Sequence, residues 1–241
     1  MTTPAELTSR LARAVADAGS GTRPAQRLGE ACRLVLGADG VAVVLAATLP
    51  QRLTVCVTDD VIARVEGLQD VLGEGPGADA YRYGRTVVGR IGSDDAAAAW
   101  PLFAEAALHA AGPLTVVAVP VPAGTDVLGV LTAYWMGTGH PVPDAELTTH
   151  LAAAAGTTLL RDPGLGHDLG LDAPDGAPTG VRAEVHRATG VLMARLRLSP
   201  DDALALLRAR AYASGVTLDE VARQVLDNVV GLASGGRPRR R

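Results

Sequence analysis

The segment Asp162–Gly180, DPGLGHDLGLDAPDGAPTG, constrains the fold more than any other part of the sequence. It is crowded with Gly, Pro and Asp and has neither helical nor strand periodicity. Pro163, Pro174 and Pro178 would each interrupt a helix or a coiled coil running through it. The chain of 241 residues is therefore expected to form two modest domains joined by this linker, with boundaries at 1–161, 162–180 and 181–232 and a basic tail at 233–241.

Charge divides at the same place. Residues 1–180 hold 11 Arg and 20 acidic residues, a net −9, whereas residues 181–241 hold 11 Arg and 6 acidic residues, a net +5; together they give the overall −4. An acidic body with a basic end is the asymmetry expected when one segment meets a polyanion and the other does not. Every basic residue is Arg and Ala is abundant, a bias that reads as compositional and lowers the weight of any single Arg cluster. With two Trp, four Tyr and one Phe, the chain is short of platforms for reading single strands by base stacking.

No apolar run approaches the ~18 residues of a bilayer span. The N-terminal MTTPAELTSRLARAVADAG lacks a secretory signal's basic flank and uninterrupted apolar stretch, so a cytoplasmic protein without membrane contact is expected. Cys32 and Cys56 form no CxxC pair, and His109, His140, His150, His167 and His186 show no HxxxH or HExxH spacing. Neither a disulfide framework, a metal site nor a cofactor is expected.

The first domain starts with two amphipathic helical patterns, Leu7, Leu11, Ala14, Val15 and Ala18, then Leu28, Cys32, Val35 and Leu36. GVAVVLAA and QRLTVCVT read as a strand pair, followed by a helix near Val61–Leu72. In LGEGPGADAYRY, Gly73, Gly75 and Gly77 surround Pro76, which demands a tight loop before a short helix. A strand over Arg85–Ile91, one helix over Asp94–Ala111, a hairpin of Pro113–Val121 and Val127–Tyr134 across Pro122–Asp126, and a helix over Asp144–Leu160 complete the pattern. This order implies an α+β domain, an antiparallel sheet with helices packed on it.

The Gly-rich loop fits no phosphate-binding spacing. It nevertheless marks a candidate ligand pocket, with Glu74, Gly75, Asp79 and Trp100 as its residues. Glu74 and Asp79 are also open to a general acid/base role or to helix-dipole placement, and Trp100 and Phe103 to a place in the core. No nucleophile or metal cluster accompanies them, so an enzyme is not expected.

LGEGPGADA, followed by a strand, by AAAAWPLFAEAA and by the hairpin LTVVAVPV…VLGVLTAYW, resembles a GAF domain over roughly residues 10–160. The resemblance implies a small-molecule sensor or a dimerisation module. Many relatives carry Cys where this chain has Gly77, a departure that removes a thiol-attachment role.

The second domain carries explicit start and stop chemistry. A helix spans Val181–Leu196, with Val181, Val185, Ala188, Leu192 and Leu196 expected in the core and Ala183, Arg187, Gly190, Val191 and Ala194 opposite. A second helix opens with Ser199 as N-cap, Pro200 at N1 and Asp202 at N3, ending near Ser214–Gly215. A third opens with the capping box Thr217/Glu220. This is an all-α three-helix bundle, and Gly190 in mid-helix, about 1 kcal/mol less favourable than Ala, implies close approach of something to that face.

RAEVHRATGVLMARLRLSPDDALALLRARAYASGVTLDEVARQVLD is similar to an ANTAR domain over 182–227, on Ala188, Thr189, Gly190, Met193, Ala203 to Leu207, Tyr212–Ala213 and Val221–Ala222. Members more often carry a basic residue or Gln around Arg187 and Thr189, so Thr189 departs from the pattern. The resemblance implies a homodimeric transcription antitermination regulator that holds RNA hairpins of nascent transcripts under control of the GAF-like domain. The RNA contacts would come from Arg187, Thr189, Gly190, Arg195, Arg197, Arg208 and Arg210, with Tyr212 stacking on a splayed base. The alternative is a sensing or dimerisation protein whose bundle meets protein and not RNA. DNA recognition is disfavoured because the third helix carries only Arg223 amid Asp219, Glu220 and Asp227.

Overall fold

The computed structural model describes residues 4–17, 24–48, 51–160 and 181–234. The expected linker and the tail arginines, Arg237 and Arg239 to Arg241, lie outside the described residues. The chain divides into two compact units, Met1–Leu165 and Gly166–Arg241. No helix among the described residues is long and apolar enough to cross a membrane.

The first unit runs α1 (Pro4–Asp17), α2 (Pro24–Leu36), β1 (Gly40–Thr48), β2 (Gln51–Val57), α3 (Asp60–Leu72), α4 (Pro76–Tyr83), β3 (Val87–Ile91), α5 (Asp94–Ala99), α6 (Pro101–Ala111), β4 (Leu114–Ala123), β5 (Asp126–Met136) and α7 (Ala145–Leu160). The strands form one antiparallel sheet in the order β2-β1-β5-β4-β3. Strand alternation sorts its two faces. Val119, Leu131, Val43 and Cys56 share one face through cross-strand register, and α2 and α7 cover it: Cys56 lies under Gly29 and Val121 under Gly156. The opposite face carries Ala42, Val116 and Tyr134, which join Ile62 and Val65 of α3, Ala96 of α5, Trp100, and Phe103, Ala104 and Ala107 of α6 in one buried cluster.

Two local outcomes differ from the sequence expectation. The single helix over Asp94–Ala111 is broken into α5 and α6 at Trp100, whose φ −139° and ψ 74° lie outside the helical region. Pro101 is the cause, since its ring disfavours helical geometry in the preceding residue while suiting the first position of the next helix. The hairpin loop is also shorter than expected: Ala123 pairs with Asp126, leaving a two-residue connection in which Gly124 takes φ 64°.

Among the described residues the second unit has three helices, α8 (Val181–Leu196), α9 (Pro200–Ser214) and α10 (Leu218–Ser234). The caps form as the sequence predicts. The Ser199 hydroxyl accepts from Asp202 N at 3.1 Å and Gly215 ends α9 at φ 64°. Thr217 N donates to Glu220 Oε2 at 3.0 Å while Glu220 N donates to Thr217 Oγ1 at 3.3 Å. The core holds Val185, Ala188 and Thr189 of α8, Ala203, Leu204, Leu207 and Ala211 of α9, and Leu218, Val221 and Ala222 of α10. Arg223 of α10 and Glu184 of α8 add an ion pair at 3.2 Å.

The expected core stripe of α8 needs correction at both ends of its polarity. Leu196, assigned inward, is 53% exposed. Thr189, assigned to RNA, is buried, and its hydroxyl donates to Val185 O at 2.7 Å. A helical Thr can satisfy its hydroxyl on the preceding turn, so burying it leaves no unpaired polar group.

Candidate functional site

In the first unit the Gly-rich loop is tied down by side chains from three directions. Gly75 takes φ 128°, and a Cβ there would lie 2.7 Å from Gln69 Oε1, so only glycine fits against α3. That oxygen accepts from Gly77 N at 2.6 Å, and Gln69 Nε2 donates to Glu66 Oε1 at 3.0 Å. Glu74 Oε1 accepts from Phe103 N at 2.7 Å, capping the first turn of α6. Asp79 accepts from Trp100 Nε1 at 3.0 Å through one oxygen and from Arg82 Nη1 at 3.0 Å through the other.

All four residues expected to line a ligand pocket are thus engaged inside the chain. Gly75 is buried, Glu74 and Asp79 are hydrogen-bonded to separate partners, and Trp100 is 6% exposed with its ring edge-on to Phe103, centroids 6.5 Å apart. Gly89 makes this possible from below: a Cβ there would lie 2.8 Å from Pro76 and 2.9 Å from Trp100.

The same sheet face contains groups that sequence reasoning missed. Glu66 and Gln69 are buried polar residues at i, i+3 spacing on the inward side of α3, where Ile62 and Val65 are also buried. The signal that could have found them is two polar residues on the apolar stripe of a helix. Thr132 is fully buried on β5 between Ala42 and Ala118, and its hydroxyl has no hydrogen-bond partner among the described residues. Beside it, the Tyr134 hydroxyl donates to Asp59 Oδ1 at 3.2 Å. Burial, then the Asp59 charge, push the Tyr134 phenol up to about 12. Asp59 is also the N-cap of α3, accepting from Val61 N at 2.7 Å and Ile62 N at 3.0 Å. On the far face Cys32 is buried, and burial raises its thiol to about 12, which keeps it protonated and unreactive.

In the second unit, Arg187, Gly190 and Ala194 are exposed and share the side of α8 opposite Val185 and Ala188. A Cβ at Gly190 would meet nothing within 4 Å, so no packing inside the unit requires glycine there. Arg195 is exposed on the flank of α8. Exposed Arg197 follows the helix at φ 56°, the one non-glycine positive φ among the described residues. The remaining candidates are not gathered onto this face. Arg208 is half-buried, while Arg210 and Tyr212 are exposed on opposite flanks of α9.

A family model for the ANTAR domain matches residues 180–226. Among solved structures, the chain is similar to one described as "Crystal structure of A. Aeolicus nlh2 gaf domain in an inactive state". The identity is 14% and the TM-score 0.46, over 66% of this chain and 97% of that one. No curated protein matches the chain.

Proposed function

We propose that this chain is a transcription antitermination regulator whose second unit binds RNA hairpins in nascent transcripts and whose first unit acts as the sensor that tunes that binding. The observation that carries the reading is the ANTAR match over 180–226, a span that includes the exposed Arg187 and Gly190. Physical chemistry supports the same face. An exposed glycine with open space above it lets a ribose-phosphate backbone approach the helix closely, and Arg187 supplies a cation on the same face, with exposed Arg195 on the flank of α8 and Arg197 just beyond its end. Thr189 is withdrawn from the RNA contacts because its side chain is committed to the bundle core.

The test is an electrophoretic shift of the full chain with tandem hairpin RNAs over a series of salt concentrations. Binding should weaken steeply with salt, and replacing Arg187, Arg195 and Arg197 together by Glu should abolish it. Absence of salt-sensitive binding to any hairpin pool at low ionic strength would overturn the reading.

A further inference from the structure

We infer that residues 73–84 form a lid on the sheet: α4 and the loop before it lift away as one piece while the rest of the first unit stays folded, and Gln69 is the latch. The inference concerns the first unit alone and does not depend on RNA binding by the second. The segment is bounded by two glycines in the left-handed region, Gly73 at φ 69° where α3 ends and Gly84 at φ 61° where α4 ends. Backbone rotation at either end therefore meets no side chain, which is what a hinge requires. The seat between the hinges is smooth. Of α4 only Pro76, Gly77 and Ala80 are buried; Pro76 rests on Gly89, and Ala80 on Ala118 and Val130. Tyr81 is partly buried and Tyr83 is 57% exposed. By contrast α3 buries Ile62 and Val65, and α6 buries Phe103. The hydrophobic hold on an element grows with the apolar area it removes from water, so burial secures α4 less than its neighbours on that face.

Polar groups from other elements do the holding instead. Gly75 at the N-cap of α4 brings no side-chain oxygen, and the first-turn N–H of Gly77 is satisfied by Gln69 of α3, itself 1% exposed. Glu66 accepts from the amide nitrogen of Gln69, which fixes the amide with its oxygen toward Gly77. The Glu74–Phe103 bond ties the loop to α6, and the Asp79–Trp100 bond ties α4 to the residue that precedes α6. Water replaces each of these bonds once the segment lifts, so opening costs less than exposing a core of large side chains. It uncovers Ala118 and Val130 and leaves the strand pairing of the sheet untouched.

Amide hydrogen exchange of the full chain, followed by mass spectrometry at a series of low urea concentrations, tests the lid. Residues 77–84 should exchange faster than β4 and β5 and with a shallow dependence on urea, because lifting α4 exposes little surface; β4 and β5 should show the steep dependence of global unfolding. Gln69→Met keeps the length of the side chain and removes the acceptor, and should speed exchange at residues 77–84 roughly ten-fold. Asp79→Ala, which cuts the second tie, should act in the same direction. Leu151→Ala, a core truncation in α7 on the far face, is the control. It should speed exchange in β4 and β5 but not at residues 77–84, since the contacts of Leu151 persist when the lid is open. A common rate and urea slope for residues 77–84 and β4, urea-independent fraying of those residues, or an equal response of them to Leu151→Ala and Gln69→Met would each overturn the inference. The urea slopes of the parent chain decide it even where a variant fails to fold.

Discussion

Replacing Gly190 by Ala separates what the bundle needs from what a partner needs. Gly190 lies inside α8, is exposed, and a methyl group there would touch no atom of the unit within 4 Å. Glycine in a helix interior costs about 0.5–1 kcal/mol relative to alanine because of the backbone freedom it loses on folding. Gly190→Ala should therefore stabilise the second unit by about that amount, and 1 kcal/mol in a domain of roughly this size moves Tm by about 4–8 °C. Far-UV circular dichroism of the full chain, heated with and without RNA, reads the helical transition. The same variant should bind hairpin RNA roughly ten-fold more weakly, about 1.4 kcal/mol, because the methyl group occupies the volume of the approaching backbone. A higher Tm with undiminished affinity would refute the close-approach argument and leave Gly190 as an unoptimised surface residue. A lower Tm would refute the space argument itself.

Three further outcomes follow from the first unit. The Tyr134 phenol, ordinarily near 10, is held at about 12, so the protonated form favours the folded state. That contribution, about 2–3 kcal/mol at most, is fully present below pH 10 and disappears as pH rises through 12; the stability gap between the parent chain and Tyr134→Phe, from urea midpoints, should shrink between about pH 8 and about pH 11. Thr132→Val keeps the shape and removes a buried hydroxyl without a partner among the described residues, so urea unfolding should show a gain of up to about 1–3 kcal/mol, and a loss would show that the hydroxyl is used. Glu74→Ala removes the carboxylate that accepts from Phe103 N in the first turn of α6 and should cost about 1–2 kcal/mol in the same assay, with Glu74→Gln costing less because its amide oxygen still accepts.

The parts legible in the sequence are those governed by neighbours in the chain. The Ser199 and Thr217 caps, Gly215 and the β1/β2 and β4/β5 pairs all depend on contacts within a few residues or on simple alternation. Thr189 is expected at the RNA from the resemblance and the polarity of its side chain, whereas the structure buries it because Val185 O accepts its hydroxyl within the same helix. The break at Trp100 is hidden because the apolar period of AAAAWPLFAEAA runs across Pro101 without a phase change. The inward position of Gln69 can be read from the apolar stripe of α3, but its partner cannot. Its partner Gly77 lies eight residues on, beyond a loop whose path is known only once α4 is seen packed on the sheet.

The ties around that loop set conditions on any sensing by the first unit. Trp100 and Phe103 already fill the space between sheet and helices, and Gly75, Gly77 and Asp79 are each held by a partner from another element or by close packing against α3. A molecule entering between Thr132 and α4 therefore competes with the Gln69–Gly77 and Asp79–Trp100 hydrogen bonds. Binding and displacement of α4 become one event. A ligand shifts such an equilibrium only by the difference in its affinity for the two arrangements. A polar molecule would have such a difference only if it supplied a hydrogen bond to a group that lacks one, as the buried hydroxyl of Thr132 does among the described residues.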